Sequence, residues 1–198
     1  MDLKDVQPYI EDKVCMVTGG GGSIGSEIVR SLSKLNAEKI VIVDIYENGA
    51  YSVKCEVGDK VAVEIASVRD YEKMDCIMNK YRPDIVFHAA AHKHVPFMEL
   101  SPEEAVKNNV KGTETVADLA EKYNTDNFVL ISTDKAVEPI SVMGASKRCC
   151  EMYMYEKSLK SKHTKFSAVR FGNVLNSNGS VIPLFKKQMA AGGPITVV

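Results

Sequence analysis

The sequence predicts an α/β fold in which helices cover both faces of a doubly wound parallel sheet. Short apolar runs rich in β-branched residues alternate with longer segments of helical period. A glycine-rich turn joins the first apolar run to the first helical segment, and an acidic residue closes the second run. Regular alternation of strand and helix indicates a parallel sheet, because each crossover helix returns the chain to the same edge.

Six strands and four long helices follow from this alternation. The predicted strands are Val14–Thr18, Lys39–Asp44, Val61–Ala66, Ile85–His88, Phe128–Ser132 and Ser167–Phe171. The predicted helices are Ser23–Leu35, Tyr71–Tyr81, Pro102–Tyr123 and Val142–Lys160. Between the second and third strands, Asn48-Gly49 and Gly58-Asp59 are turn signals, so any helix there is expected to be brief.

The composition is that of an ordinary globular domain. The 198 residues are 45% apolar and 26% charged, with a net charge of −1. This balance gives no reason to expect nucleic acid as a partner. No apolar run is long enough for a membrane segment, and Met1–Lys13 is unlike a signal peptide. We expect a cytoplasmic protein, at the inner membrane face only if a longer native protein carries an N-terminal anchor. The five cysteines have no metal-site spacing and are expected to be free thiols.

The turn after the first strand has the spacing of a dinucleotide site. Gly19 permits the tight turn, Gly22 lets the backbone approach a pyrophosphate, and Gly25 is expected to let the helix pack close to the sheet. Ser23 and Ile24 open that helix, whose free N–H groups and positive dipole end face the phosphates.

An acid follows at the distance that such a site requires. Asp44 ends the second strand about 20 residues beyond the glycines, where a carboxylate bonds the ribose 2′-hydroxyl. A carboxylate there repels a 2′-phosphate, so NAD is the expected cofactor.

Two further strand ends are expected to line the same ligand. Ser67 and Val68 lie near the adenine in such a fold, whereas Asp70 is explained equally well as a helix N-cap. The small side chains of Ala89, Ala90 and Ala91 let the backbone come close to the cofactor, and tight packing of strand on helix is a compatible interpretation.

Several motifs together resemble one known family. They are Thr18-Gly19-x-x-Gly22-x-x-Gly25, His88–Pro96, Asn108–Thr113, Ser132–Val137, Met143–Arg148 and Arg170–Val174. The chain from Tyr9 to Val198 is similar to the extended short-chain dehydrogenases/reductases, and within them to the CapD-like UDP-N-acetylglucosamine 4,6-dehydratases of bacterial polysaccharide biosynthesis. The resemblance implies a Rossmann-like doubly wound sheet, NAD, a UDP-sugar substrate, and a homo-oligomer whose subunits meet through the Pro102–Tyr123 and Val142–Lys160 helices.

The same resemblance divides the chain into three parts. Residues 1–12 are a lead-in, 13–175 form the NAD-binding domain, and 176–198 begin a nucleotide-sugar-binding part that is incomplete here. The final residues, 193–198, are expected to start a strand.

An acid and a base stand side by side behind the fifth strand. Oxidising C4 of a hexose to a ketone makes the C5 proton acidic, so a base removes it while an acid protonates the leaving C6 oxygen. The resemblance makes Asp134 the acid and Lys135 the base. Such roles require desolvation that moves the pKa of one or both groups toward neutrality. A surface ion pair is the alternative.

Met143-x-x-x-Lys147 occupies the place of the Tyr-x-x-x-Lys pair that is usual in the superfamily. Lys147 is expected to bond the nicotinamide ribose. Methionine has no proton to exchange, so Thr133 is the best remaining hydroxyl for the C4 position. Simple packing of Met143, or an inactive enzyme, is the alternative.

The remaining polar candidates are assigned to the sugar. His92 and Lys93 are expected in the cleft, and Asn173, Asn176, Ser180 and Pro183 where the family binds the nucleotide sugar. His88, His92 and His94 lack a further metal ligand, so no metal is expected. The sequence thus predicts a 4,6-dehydratase. An epimerase or reductase of the same superfamily and a non-catalytic NAD-binding module are the alternatives.

Overall fold

The computed structural model of the protein describes residues 5–174 and 181–195. Six parallel strands form one sheet in the order β3-β2-β1-β4-β5-β6. Their bounds are β1 Val14–Thr18, β2 Lys39–Asp44, β3 Val61–Ile65, β4 Ile85–His88, β5 Asn127–Thr133 and β6 Lys165–Phe171. The predicted doubly wound parallel sheet is confirmed, and the predicted strand ends shift by two residues at most.

The strand order reverses between β1 and β4. Thr18, the last residue of β1, pairs with His88, the last residue of β4. On the next pair of strands, His88 lies opposite Leu130 of β5. The carboxyl ends of β1, β4 and β5 therefore meet at one edge, which is where open α/β sheets bind their ligands.

Helical segments connect the strands and cover both faces. They are α1 Gln7–Ile10, α2 Ser23–Lys34, α3 Glu47–Val57, α4 Tyr71–Tyr81, α5 Val95–Leu100, α6 Pro102–Ala105, a π-helix Val106–Lys111, α7 Gly112–Lys122, a 3₁₀ turn Asp134–Ala136, α8 Val142–Lys160 and α9 Val181–Ala190. None of the helices formed by the described residues has the length and apolar character to cross a bilayer.

Alternate residues of the strands feed two cores. Met16 of β1 belongs to a cluster shared with α4, α7 and α8. Its neighbours Cys15 and Val17 point to the opposite face and belong to a cluster shared with α2 and α3. Strands buried on both faces read as continuous apolar runs, which explains the lack of polar alternation in β1 and β2.

The connection after β2 departs from the prediction. The expected brief helix is wrong, because α3 extends over 11 residues and includes Asn48-Gly49. The missing side chain at Gly49 serves packing: a Cβ there would lie 2.6 Å from the carbonyl oxygen of Gly21. Tertiary contact thus overrides a local turn signal.

The predicted helix Pro102–Tyr123 is present with a change of pitch inside it. Its middle, Val106–Lys111, is a π-helix between α6 and α7. Such π segments occur often at functional sites, since one extra residue per turn redirects the side chains around it.

The described residues at both chain ends have defined surroundings. Within the predicted lead-in 1–12, Ile10 of α1 is buried in the second core and Val6 packs against that core. At the other end, residues 193–195 have no strand structure, and the rest of the predicted strand lies outside the described residues.

Candidate active site

The glycine turn after β1 packs against the end of β4. Gly19 has a φ of +70°, and a Cβ on it would lie 2.8 Å from the Ala90 nitrogen and 2.9 Å from the Ala89 carbonyl carbon. Helix α2 begins at Ser23, and its N-cap, Gly22, contributes no side-chain hydrogen bond to the helix. The first N–H groups of α2 therefore have no side-chain cap from Gly22 and suit an anion such as a phosphate.

Gly25 packs against the turn that follows β1. A Cβ at Gly25 would lie 2.1 Å from the carbonyl oxygen of Gly19 and 2.8 Å from the Gly20 Cα. The missing side chain therefore lets α2 approach the turn directly behind the strand, and the expected approach of the helix to the sheet stays a prediction. The turn and the helix start are consequently one rigid unit.

Asp44 connects that unit to the end of β2. Its Oδ2 accepts a hydrogen bond from the Gly21 nitrogen at 2.8 Å, and its Oδ1 accepts one from the Tyr46 nitrogen at 2.9 Å. A Cβ on Gly21 would lie 2.7 Å from the Ala50 nitrogen, so α3 also packs against the turn. Each carboxylate oxygen can accept a further bond, and the predicted ribose contact stays a prediction.

The segment after β3 provides packing and a helix cap. Val68 is buried, and a Cβ on Gly112 of α7 would lie 2.7 Å from its Cγ2. Asp70 accepts a hydrogen bond from the Lys73 nitrogen at 3.0 Å as the N-cap of α4, which confirms the capping interpretation. Ser67 is half-buried beside Val68. Adenine contact by these two residues remains untested.

His88 is a buried residue at the candidate site, and its sequence motif predicts no contact for its ring. It is fully buried at the end of β4, with its Nδ1 2.7 Å from Thr18 Oγ1 and its Nε2 3.0 Å from Thr113 Oγ1. Burial and then the charge of Lys147 lower the pKa of His88 to about 3, so the ring is neutral. The pairing of β4 with β1 brings His88 beside Thr18. This register cannot be read from the sequence, so the sequence does not predict the contact.

Asn109 of the π-helix holds the loop that follows β4. Its Oδ1 accepts from the His92 nitrogen at 2.8 Å, and its Nδ2 donates to the His92 carbonyl at 3.0 Å. The same Nδ2 lies 2.9 Å from Ser146 Oγ on α8. Asn109 is buried, and it appeared in the sequence analysis as a motif residue without a role.

Lys147 and Met143 lie one turn apart on α8 in different surroundings. Lys147 is buried with only 4% of its surface exposed, and no described residue hydrogen-bonds its amine. Burial lowers the pKa of Lys147, while the negative charge of Glu151 opposes that shift. Met143 packs with Met98 and Ala105 in a small apolar cluster. That placement supports the packing interpretation of Met143.

The predicted acid and base are adjacent but exposed. Lys135 Nζ lies 3.2 Å from Asp134 Oδ1 and 3.4 Å from Asn173 Oδ1. Thr133 Oγ1 donates to the same Asp134 oxygen at 2.9 Å. The side chains of Asp134 and Lys135 are 55% and 41% exposed. The hydrogen bonds from Thr133 and then Lys135 hold the pKa of Asp134 below its usual value.

The desolvation that an active role requires is not provided by the described part of the chain, where the two groups form an exposed ion pair. The pKa of Asp134 moves away from neutrality, because the 3₁₀ turn sets the carboxylate at the open edge of the sheet among donors and water.

Glu151 forms a buried anchor beneath that edge. Only 7% of its side chain is exposed. Its Oε1 accepts from Ser132 Oγ at 2.6 Å and Arg170 Nε at 2.8 Å, and its Oε2 accepts from Arg170 Nη2 at 2.5 Å and Arg148 Nη1 at 3.3 Å. Burial raises the pKa of Glu151, but the Arg170 and Ser132 hydrogen bonds outweigh it and lower the pKa overall. The ends of β5 and β6 are thereby tied to α8, one turn after Lys147.

A family model described as polysaccharide biosynthesis protein matches residues 15–198. The chain belongs to this family. It is 51% identical over its whole length to the probable polysaccharide biosynthesis protein EpsC of Bacillus subtilis. It is 47% identical over its whole length to the capsular polysaccharide biosynthesis protein CapD of Staphylococcus aureus. It covers 34% of each of these relatives, so it spans about a third of their length.

Solved structures place this family member in the extended short-chain dehydrogenase/reductase superfamily of nucleotide-sugar epimerases and dehydratases. Pen from Bacillus thuringiensis superposes with a TM-score of 0.90 at 34% identity, over 96% of this chain and 61% of that one. A UDP-glucose 4-epimerase from Thermotoga maritima, solved with UDP-glucose, superposes with a TM-score of 0.80 at 27% identity, over 90% and 63% of the two chains.

The predicted sugar-binding residues are only partly described in this family member. Asn173 adjoins Lys135 at the end of β6, His92 is half-buried, and Lys93 is exposed. Asn176, Ser180 and the side chain of Pro183 lie outside the described residues. Within residues 5–174 and 181–195, no group of three or more histidine, cysteine or acidic side chains is arranged to hold a metal ion.

Proposed function

We propose that the protein is an NAD-dependent nucleotide-sugar 4,6-dehydratase that acts on UDP-N-acetylglucosamine. The observation that carries the proposal is the group of Thr133, Asp134, Lys135 and Asn173 at the carboxyl ends of β5 and β6. A carboxylate and an amine in contact suit the paired proton transfers of a β-elimination, and simple oxidation or epimerisation at C4 has little use for them.

The dinucleotide fits the turn between β1 and α2. Gly19 to Gly22 place no side chain in the turn, the start of α2 has no side-chain cap, and Asp44 stands at the end of β2. Gly22 would face the pyrophosphate, Asp44 the adenosine ribose and Lys147 the nicotinamide ribose. When bound there, NAD supplies the oxidation at C4 and the return of the hydride.

The chain's own residues supply the proton transfers. Lys135 would accept the C5 proton with a deprotonated amine, and Asp134 would donate a proton to the departing C6 oxygen. Both side chains are solvated in the described structure, and in this proposal the bound sugar covers them. Exclusion of water by the bound sugar favours the neutral form of each group, which is the form that each role needs.

The C4 hydroxyl has Thr133 as its nearest proton-exchanging candidate. Thr133 Oγ1 already donates to Asp134, so a proton taken from the sugar can pass to the carboxylate without crossing solvent. Met143, packed among apolar side chains, would leave the position usually occupied by tyrosine without a role in proton transfer.

The predicted homo-oligomer has a surface that suits it. On α8, Met152, Tyr155 and Leu159 are at 60%, 68% and 69% exposure and lie on one side of the helix. We propose α7 and α8 as the subunit interface. In sedimentation experiments Met152→Glu should shift the protein toward the monomer, and an unchanged mass would exclude this surface.

The deciding experiment incubates the protein with UDP-N-acetylglucosamine and NAD in deuterated water. A 4-keto-6-deoxy product without net NADH supports the dehydratase. A C4 epimer supports an epimerase, stoichiometric NADH supports a dehydrogenase or reductase, and NAD binding without turnover supports a non-catalytic module.

A lysine variant tests the assignment of the base. Lys135→Ala should abolish deuterium incorporation at C5 and lower kcat by roughly a thousandfold. The matched control is Lys160→Ala, which removes another exposed lysine paired with a carboxylate, Glu156, at the far end of α8. Retained C5 exchange in Lys135→Ala contradicts the assignment.

A further inference from the structure

A chain of buried hydrogen bonds crosses the domain and has no part in the proposed proton transfers. It links Thr18 to His88, His88 to Thr113, and Thr113 to Cys150. Cys150 Sγ lies 3.1 Å from the carbonyl oxygen of Asn109. Thr18, at one end of the series, directly precedes the glycine turn, and Asn109, at the other end, lies in the π-helix.

The donors in this chain point in one direction. Thr113 Oγ1 donates to Cys150 Sγ at 3.4 Å, so its lone pairs are free to accept from His88. His88 then carries its proton on Nε2, and its Nδ1 accepts from the Thr18 hydroxyl. Burial raises the pKa of the Cys150 thiol, so the thiol keeps its proton. This S–H faces two carbonyl oxygens, those of Asn109 and Ser146, each 3.1 Å from Sγ. Every member thus acts as a donor to the next.

The segment Ala89–Ala91, which we call the wall of the predicted cofactor site, is attached to this series of hydrogen bonds at both of its ends. At its start, the Ala90 nitrogen lies 3.4 Å from Thr18 Oγ1. At its end, the amide of Asn109 binds both backbone groups of His92. Asn109 also bonds Ser146, the residue before Lys147, whose amine has no hydrogen-bond partner among the described residues. The wall and the lysine therefore share one buried connection.

We propose that His88, as the neutral Nε2–H tautomer, is a positioning residue that fixes Lys147 relative to the Ala89–Ala91 wall. The proposal rests on the proposed function in that it assumes NAD binds between these two elements. His88 itself touches neither cofactor nor sugar, and it acts through Thr18 and Thr113.

Nitrogen NMR of the protein labelled with ¹⁵N-histidine tests the tautomer. The His88 ring should show a protonated Nε2 and an unprotonated Nδ1 that do not change when NAD is added. A protonated Nδ1 overturns the proposal, because the order of donors would then be broken at Thr113. Assignment uses the loss of the signals in His88→Gln.

A threonine variant tests the positioning. Thr113→Val keeps the side-chain shape and removes the hydroxyl between His88 and Cys150. It should weaken NAD binding about tenfold and lower kcat by a similar factor, with the KM for the sugar unchanged within about twofold. The control is Thr125→Val, which deletes another fully buried hydroxyl, bonded to the Pro83 carbonyl at the opposite end of the sheet.

Thr113→Ser, which restores the hydroxyl, should recover most of the NAD affinity. Thr18→Val breaks the same chain at its other end and replaces Thr113→Val if that variant does not fold. Equal effects of the Thr113 and Thr125 variants on NAD affinity would reduce His88 to a packing role. If the unaltered protein forms no 4-keto product, the proposed function is refuted. The role of His88 is still decided separately, by the NMR and NAD-binding measurements.

Discussion

The two halves of the candidate site are built in different ways. The turn between β1 and α2 consists of backbone against backbone: a Cβ on Gly25 would lie 2.1 Å from Gly19, and His88 beneath it is fully buried. The end of β5 consists of long side chains in water, with Asp134 at 55% and Lys135 at 41% exposure. The first half is shaped before any ligand arrives. The second acquires its electrostatic environment only when something covers it.

In the proposed function, this difference separates cofactor binding from proton transfer. Closely packed backbone leaves little room for added side chains. We therefore expect a substitution at a packed glycine of the turn to disrupt both the fold of this half and its NAD binding. Exposed ion pairs contribute little to stability, so residues of the acid–base half are free to be selected for proton transfer alone.

Gly25→Ala should break the first half most severely. The added carbon cannot fit 2.1 Å from a backbone oxygen, so we expect a loss of at least about 4 kcal/mol in unfolding free energy, measured in urea, and no detectable NAD binding by calorimetry. The control is Gly58→Ala, where the φ of +94° is strained but no atom lies within 4 Å of the new carbon. Gly58→Ala should lose stability and keep its NAD affinity. If Gly25→Ala were as stable as the unaltered protein and still bound NAD, the two halves would not differ in the way described.

Glu151→Gln asks whether the open half has a rigid base. The amide keeps an acceptor for Ser132 but turns a donor toward Arg170, which is 39% exposed. Because Arg170 can partly return to water, we expect about 2 kcal/mol and not the larger loss of a wholly buried pair. Glu156→Gln, at an exposed pair on the same helix, should leave the unfolding free energy almost unchanged. Equal losses in urea unfolding would show that β5 and β6 do not depend on Glu151.

Mild acid should weaken the packed half through His88. Its pKa falls from 6.5 to about 3 on folding, so below pH 6.5 the unfolded chain takes up a proton that the folded chain refuses. Stability is complete above pH 6.5 and falls by about 1.4 kcal/mol per pH unit toward pH 3. Urea unfolding between pH 7 and about pH 5 measures the slope. His88→Gln should be less stable at pH 7 and lose that slope, and an unaltered slope would assign the effect elsewhere.

The smallest effect is expected outside both halves. Lys13 pairs with Asp84 and Asp126 at the amino ends of the strands, and all three side chains are a third or more exposed to solvent. Lys13→Met should cost about 0.5 kcal/mol in dilute buffer and nothing in 1 M salt, where such pairs are screened. A cost of several kcal/mol would mean that surface charge, and not backbone packing, sets the stability of this sheet.

Sequence periodicity was sufficient for the sheet and for the location of the turn. Apolar runs of strand length, and the spacing from Gly19 to Asp44, are local properties that survive folding unchanged. The adjacency of Asp134 and Lys135 is local as well. Their exposure is not, because it depends on what the 3₁₀ turn meets across the open edge.

Features that depend on contacts between distant segments escaped prediction. The hydrogen bond between His88 and Thr18 follows from the register of β4 on β1, and the packing of Gly25 follows from a contact across the turn. Asn48-Gly49 is a turn signal by itself, yet the approach of α3 to Gly21 makes it helical. The π-helix likewise has no signature in the spacing of apolar residues.

The two hydrogen bonds of Asp44 limit how this domain can be redesigned. In the proposed placement of the adenosine ribose at Asp44, use of a 2′-phosphorylated dinucleotide requires the loss of the negative charge at this position. Removal of the whole side chain would also release the Gly21 and Tyr46 nitrogens and loosen the glycine turn. A workable path therefore passes through Asp44→Asn, which keeps one acceptor for the backbone, before a basic residue is introduced nearby.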